Sequence, residues 1–398
     1  MIAITANNFY DLTKFKHTIH RDSVFRNIEV LDFSYVPDKL YMRNDIINSL
    51  IYSFRRILTD NNSSTNCLIT GLPGSGKTTI ARYFAKHFRQ SALESIPDFH
   101  IEFFNCLRFR RNDTIVAHLS KKYCHSSGKG YASEEFWIIL LKKLIYSKKY
   151  LFIILDNIDY LPRKDLLQLL CLSESFGHQN VRISFLFISR SKQWDYYKNQ
   201  DINQRIYDLI KIKPYSFKEA YTILKDKCEL AFKENVISED LIAQLAQIVS
   251  ERKNMRYGIK YLRKLGIYVD KHEIEKISFE MLNEIPKEFY FEYSEALENL
   301  KEHELLTFYS IITILSNPKI TTTEPIYIEY QNVCKKFKKK PHVIMVLRRH
   351  IRSLAKFNLV KTEVIGSPRK GRYNEISLSY DPSGIKKEVE MFLNQKLG

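Results

Sequence analysis

The amino-acid sequence predicts an α/β domain with a parallel sheet and helices on both faces, then a small helical domain, then a winged helix-turn-helix. Short apolar runs that end in polar residues recur in the first half of the chain, as buried parallel strands do. The apolar period then becomes that of amphipathic helices, and the last part combines helices with a hairpin. We place the three domains at residues 1–213, 214–284 and 285–398.

The first strand leads into a glycine-rich turn and a helix, in the run CLITGLPGSGKTTIARYFAKHF at residues 67–88. Glycines let consecutive backbone N–H groups turn inward around phosphate oxygens, and the helix N-terminus adds its positive end. The run therefore predicts a nucleotide site for ATP or ADP. Its expected members are Gly71, Leu72, Pro73, Gly74, Ser75, Gly76, Lys77, Thr78 and Thr79. Lys77 would neutralise the outer phosphates, and the Thr78 hydroxyl would ligate Mg²⁺.

A second apolar strand ends at Asp156, within LFIILDNIDYL at residues 151–161. In α/β nucleotidases a carboxylate in this place holds magnesium, although a turn residue closing a core strand is the alternative. The next residue is Asn157. An amide cannot take a proton from water at neutral pH, so we expect any hydrolysis of the nucleotide to be slow.

A third apolar strand, VRISFLFISRS at residues 181–191, carries Arg190 at its end. Parallel sheets bind ligands at the carboxyl ends of their strands. Arg190 would reach a γ-phosphate there or extend into solvent, and the sequence does not decide between the two.

The helical middle begins at Ser216, which forms a predicted capping box with Glu219. Further helical stretches follow, and we expect the one in NMRYGIKYLRKLG to end at Gly266. Arg256 lies where a helical lid would bring a guanidinium group to the phosphates, but an arginine on a basic helix is more often solvated.

The C-terminal part contains HVIMVLRRHIRSLAKFNLV, whose apolar residues fall on one helical face. The other face carries Arg348, Arg349 and Arg352, as a DNA-recognition helix would. Two strand-like segments then flank a turn that bears Arg369, Lys370 and Arg372, which predicts a wing for phosphate contacts. A winged helix that binds protein is the alternative.

The overall charge fits duplex DNA as a partner, since 62 Lys and Arg outnumber 45 Asp and Glu. Six cysteines without paired spacing favour a reduced, intracellular setting, and no apolar run is long enough to cross a bilayer. We therefore expect no membrane partner and a cytoplasmic, chromosome-associated protein.

Four stretches carry a resemblance to a known family: YVPDKLYMRNDIINSL, GLPGSGKTT, KPYSFKEAYTIL and SLAKFNLVKTEVIGSPRKGRYNEISL. The sequence resembles the archaeal replication initiators of the origin-recognition and Cdc type, which are AAA+ ATPases fused to a winged helix. The resemblance implies sequence-specific binding of duplex DNA at a replication origin, with ATP governing the bound conformation. It also implies a replicative helicase or other initiator subunits as partners.

The resemblance further implies residue roles. Val36, Pro37 and Arg43 match the family's segment beside the adenine, and Arg256 matches its lid arginine, called sensor 2. Asn157 falls where the family has a catalytic Glu, and Arg190 where it has the sensor 1 Asn. ATP binding with weak hydrolysis is expected. A paralogue that regulates transcription or the cell cycle, and an ATPase that remodels proteins or acts in signalling, remain as alternative functions.

Overall fold

The computed structural model describes residues 23–60, 63–124, 133–172, 181–281, 297, 300–316, 320–357, 359–365, 373–378 and 382–397. The chain forms two compact units. The larger unit comprises Arg43–Lys213 and Pro286–Gly398, and the smaller comprises Met1–Met42 and Pro214–Ile285. The α/β domain and the winged domain thus share one unit, while the helical middle packs with the segment before the α/β domain. The exact domain boundaries given above stay a prediction.

A five-stranded parallel sheet forms the centre of the larger unit, with strand order β2-β3-β4-β1-β5. The strands are β1 (Asn66–Gly71), β2 (Phe99–Asn105), β3 (Tyr150–Asp156), β4 (Ile183–Arg190) and β5 (Asp208–Ile212). Every residue of β3 is buried, as expected for a strand covered on both faces. Because β3, β4 and β1 are neighbours, their carboxyl ends meet at one edge of the sheet.

Helices cover the sheet, and the helix after the phosphate loop is held by aromatic packing. Phe84 of this helix lies 5.7 Å from Phe54, and Phe88 lies 6.0 Å from Phe152 of β3, measured between ring centroids. The helices are α1 (Asn44–Phe54), α2 (Arg56–Thr59), α3 (Lys77–Ser95), α4 (Asn112–Leu119), α5 (Ser133–Tyr146), α6 (Arg163–Leu170), α7 (Ser191–Tyr197) and α8 (Gln200–Asn203).

The winged domain combines helices with a small antiparallel sheet of order β6-β8-β7. Its elements are α12 (Glu302–Leu315), β6 (Ile320–Thr321), α13 (Thr323–Lys336), α14 (Ile344–Lys356), β7 (Lys361–Ile365), β8 (Tyr373–Ser377) and α15 (Pro382–Leu397). Leu347, Ile351 and Leu354 of α14 are buried, as the sequence predicts. The fold class predicted from the sequence is confirmed.

The winged domain packs directly on the α/β domain. Their apolar side chains form one continuous cluster, in which the rings of Tyr160 and Phe357 lie 4.9 Å apart. Arg110 Nη1 donates hydrogen bonds to Glu304 Oε1 at 3.1 Å and to Ser353 Oγ at 3.3 Å. Since Glu304 is only 4% exposed, this ion pair is largely shielded from water.

The smaller unit contains α9 (Phe217–Ala231), α10 (Glu239–Arg252) and α11 (Met255–His272). The capping box of Ser216 and Glu219 is confirmed. The predicted helix end at Gly266 is wrong, because α11 continues to His272. Gly266 serves a close approach instead: a Cβ there would lie 2.7 Å from a ring carbon of Phe232. In the part of the chain that is described, no helix combines the length and apolarity needed to span a membrane.

Candidate nucleotide site and DNA-binding surface

The phosphate loop joins β1 to α3 and needs glycine at defined positions. Gly74 and Gly76 have φ angles of 72° and 89°, in the left-handed region that glycine enters without strain. A Cβ on Gly71 would lie 2.8 Å from Ser75 Oγ and 2.9 Å from the carbonyl oxygen of Ile212. These contacts explain the glycine spacing from which the loop was predicted.

Lys77 points its ammonium group into the loop. The residue is 9% exposed, and Nζ donates to the carbonyl oxygens of Gly71 at 3.0 Å and Leu72 at 2.8 Å. Ser75 Oγ is buried without a hydrogen-bond partner among the described residues, and a bound phosphate would satisfy it. The loop therefore offers a buried cation and polar groups suited to a polyphosphate.

Thr78 and Asp156, the two residues predicted to hold Mg²⁺, meet at the sheet edge. The Thr78 hydroxyl donates to Asp156 Oδ2 at 2.7 Å, and Asp156 is 4% exposed. Hydroxyl and carboxylate oxygens are ligands that Mg²⁺ accepts, and the ion usually completes its shell with water and substrate phosphates. The pair thus fits a nucleotide-bound Mg²⁺. Within the described ranges, no group of three or more His, Cys, Asp or Glu side chains is arranged so that it could hold a metal ion.

Asn157 has a left-handed backbone, with φ 58° and ψ 46°. Asparagine tolerates this conformation better than most residues with a Cβ. Its Nδ2 donates to Asn105 Oδ1 at 3.4 Å, and Asn105 pairs in register with Asp156. The position beside the predicted Mg²⁺ ligand therefore carries an amide, which cannot act as a general base.

Arg190 forms an ion pair with Asp159 that no local sequence pattern predicts. Its Nε and Nη2 donate to Asp159 Oδ2 at 2.9 and 2.5 Å, and its guanidinium lies 4.9 Å from the centre of the Tyr160 ring. The Asp159 side chain is 2% exposed and that of Arg190 16%. The alternative of a solvated strand-end arginine is wrong. A role toward the γ-phosphate stays a prediction.

The predicted adenine and lid residues are divided between the two units. Arg43, in the larger unit, is 6% exposed and donates to the carbonyl oxygen of Lys213 at 3.3 Å. Val36, Pro37 and Arg256 belong to the smaller unit, where Arg256 lies 5.8 Å from the ring centre of Phe33. The nucleotide-binding roles of these four residues stay predictions.

The predicted DNA-binding residues of α14 lie on its outer face. Arg348, Arg349 and Arg352 are all exposed, and Arg352 Nε donates to the carbonyl oxygen of Arg348 at 3.3 Å. The wing residues Arg369, Lys370 and Arg372 lie outside the described residues. The described helix therefore presents three guanidinium groups away from the domain core.

The sequence does not predict a histidine cluster at α14, because His303 lies far along the chain from His342 and His350. His303 and His342 stack with ring centroids 3.8 Å apart, and His342 Nδ1 lies 3.2 Å from His350 Nε2. Burial, reinforced by the neighbouring imidazoles, lowers the pKa of His350 to about 4. The His350 ring is consequently neutral near pH 7.

Comparisons with known proteins agree in both halves of the larger unit. An AAA domain family model matches residues 60–196, and the family described as CDC6, C terminal winged helix domain matches residues 295–388. ORC1-type DNA replication protein 2 of Sulfolobus acidocaldarius is 27% identical, with 94% of each chain covered. The chain is therefore similar, in both parts, to the origin-recognition and Cdc-type replication initiators. A further relative, ORC1-type DNA replication protein 1 of Archaeoglobus fulgidus, is 25% identical over 94% of this chain and 93% of its own.

Solved structures of origin-recognition proteins share the fold. The Aeropyrum pernix ORC1 protein in complex with DNA gives a TM-score of 0.71 at 21% identity, covering 94% of this chain and 98% of that one. The Aeropyrum pernix ORC2 protein in ADPNP-ADP complexes gives 0.60 at 20% identity, covering 94% and 99%. At these identities the likeness supports the fold, while functional roles depend on the residues themselves.

Proposed function

We propose that this chain is an ATP-binding replication initiator that recognises a specific duplex DNA sequence at an origin. The observation that carries the proposal is the presence, in one compact unit, of a complete phosphate loop and a helix with an exposed arginine face. Two relatives named ORC1-type DNA replication proteins support it. The similar fold of the Aeropyrum pernix ORC1 protein, which was solved in complex with DNA, supports it as well.

In this proposal the phosphate loop holds ATP or ADP. Lys77 and the loop N–H groups bind the outer phosphates, and Thr78 and Asp156 hold Mg²⁺, which neutralises phosphate charge. Val36, Pro37 and Arg43 lie beside the adenine, and Arg256 contributes from the lid. The relative solved in ADPNP-ADP complexes supports nucleotide as the ligand.

We further propose that hydrolysis is slow and that ATP acts as a long-lived structural ligand. Asn157 supplies no general base, and Arg190 is engaged by Asp159. A nucleotide that binds one conformation more tightly than others stabilises that conformation by mass action, without turnover. ATP would then set the DNA-binding conformation.

Duplex DNA is the partner that the winged domain fits best. Helix α14 would enter the major groove with Arg348, Arg349 and Arg352, and the wing with Arg369, Lys370 and Arg372 would contact the backbone. The formal charge of +17 supports a polyanionic partner. A replicative helicase or other initiator subunits are the proposed protein partners. Association with the chromosome is part of the same proposal.

A paralogue that regulates transcription or the cell cycle is the second candidate, because the same helix and wing serve promoters and origins. The Asn157 amide is compatible with such a regulator, because a protein that occupies DNA without hydrolysing ATP in cycles needs no general base. An ATPase that remodels proteins or acts in signalling is disfavoured by the exposed arginine face, which suits phosphates better than a protein surface.

The test is a selection of genomic fragments by the purified protein with ATP, compared with Lys77→Ala. Enrichment of a few loci where replication starts, weakened by the substitution, is the expected result. Enrichment spread over many promoters would favour the regulator. The proposal would be overturned by the absence of any enrichment, or by DNA affinity that did not fall with salt concentration.

A further inference from the structure

The start of α14 exposes two large apolar side chains. Met345 is 67% exposed and Val343, the residue before the helix, is 62% exposed. Water contact with apolar surface of this size is unfavourable, and an exposed apolar group beside charged residues often marks a binding surface. These two side chains do not pack in the domain core, because α14 contacts the core through its buried residues Leu347, Ile351 and Leu354.

Met345 shares a helical face with the arginines. Arg348 and Arg349 follow it by three and four positions, the spacing at which helical side chains are neighbours. Arg352 continues the same stripe, one turn further along. An apolar group therefore lies at the N-terminal end of a cationic face. A partner that fits this face must be anionic and must offer an apolar group at one end.

We propose that Met345, assisted by Val343, contacts the methyl group of a thymine in the major groove and makes the bound sequence depend on that thymine. The inference rests on the proposed binding of duplex DNA through α14. Thymine is the one standard DNA base with a methyl group in the major groove, and recognition helices reach base edges with their N-terminal residues. Methionine, being flexible and polarizable, adapts to such a contact.

The experiment replaces each thymine of a selected duplex, one at a time, by deoxyuridine, which removes the methyl and keeps the hydrogen-bonding edge. For the wild-type protein we expect a loss of about fourfold in affinity at one or two thymines, the effect of burying one methyl group. Met345→Ala should lose affinity for the thymine duplex and no longer distinguish thymine from deoxyuridine there.

Ile328→Ala is the matched control, because Ile328 is an apolar residue of α13 that is 62% exposed. It should keep the discrimination. Met345→Ala should also keep the wild-type salt dependence, since the phosphate contacts of the arginines are untouched.

Equal wild-type affinity for every deoxyuridine duplex overturns the methyl contact, as does discrimination that survives in Met345→Ala. Both results leave the proposed function standing. If the wild-type protein binds no duplex with sequence preference, the proposed function fails and this inference fails with it.

Discussion

The phosphate loop and the edge formed by the ends of β3 and β4 lie on the same side of the sheet, but their polar groups are arranged differently. In the loop, Lys77 and Thr78 face inward to where phosphates and Mg²⁺ would bind. At the edge, Arg190 is paired with Asp159, and Asn157 stands beside Asp156. The contrast teaches that holding a nucleotide and cleaving it depend on separate residues, so one capacity can exist without the other.

The largest expected effect is a loss of stability when the ion pair at the ends of β3 and β4 is broken. Arg190→Ala would leave the buried Asp159 carboxylate without its cation, and we expect the free energy of unfolding to fall by about 3–5 kcal/mol. Urea denaturation without nucleotide would measure it. Arg190→Ala combined with Asp159→Asn should recover part of the loss. If Arg190→Ala were as stable as wild type and instead lost ATP affinity, the arginine would belong with the phosphate-binding groups.

For the phosphate loop we expect the opposite pattern: a large loss of ATP affinity and a small change in stability. Lys77→Ala should lower ATP affinity about a hundredfold, because it removes a buried cation from the phosphate site. The free energy of unfolding without nucleotide should change much less than in Arg190→Ala. Equilibrium titration with labelled ATP is the measurement, and Lys86→Ala, an exposed lysine of the same helix, is the control. Unchanged ATP affinity in Lys77→Ala would contradict the nucleotide site itself.

A carboxylate at position 157 should separate nucleotide binding from nucleotide cleavage more sharply. Asn157→Glu is expected to raise ATP turnover about tenfold or more, since general-base catalysis contributes at least that much. Asn157→Gln matches it in size and in the cost of a left-handed backbone, but adds no carboxylate. Phosphate release in a single turnover would compare them. Equal rates for the two variants would show that the missing base does not limit hydrolysis.

The smallest expected effect comes from acid, which should destabilise the winged domain where it packs on the α/β domain. The folded-state pKa of His350 is about 4, below the ordinary 6.5, so protonation favours the unfolded form. Its facing groups are His303, His342, Glu304 and Lys301. Thermal stability should be constant above pH 6.5 and fall by a few degrees toward pH 4.

Replacement of His350 by Gln should flatten this pH dependence. Glu304 contributes in the same direction, because hydrogen bonds and the Arg110 charge outweigh burial and lower its pKa below 4.5. Its stabilising effect is therefore lost only at lower pH, as the carboxyl becomes protonated. A His350→Gln protein with the wild-type slope between pH 6.5 and 5 would contradict the assignment.

The sequence was sufficient where a function depends on neighbours along the chain. The glycine spacing of residues 71–76 dictates the loop, and the helical period gave the buried and outer faces of α14. It was insufficient where partners are distant. Asp159 and Arg190 are 31 residues apart, Arg110 and Glu304 are 194 apart, and no local pattern indicates such pairs. Gly266 was misjudged for the same reason, because the rings that require it come from other segments.

The packing of Phe357 on Tyr160 and of Arg110 on Glu304 limits how the molecule tolerates truncation. A fragment that ended near residue 285 would expose apolar side chains and leave Arg110 without its carboxylate. The isolated winged domain would expose the apolar face that packs on the α/β domain, and it should aggregate unless that face were made polar. Exchange of winged domains among relatives would require the contacting faces of the winged domain and the α/β domain to change together. We therefore expect these two domains to evolve as a pair.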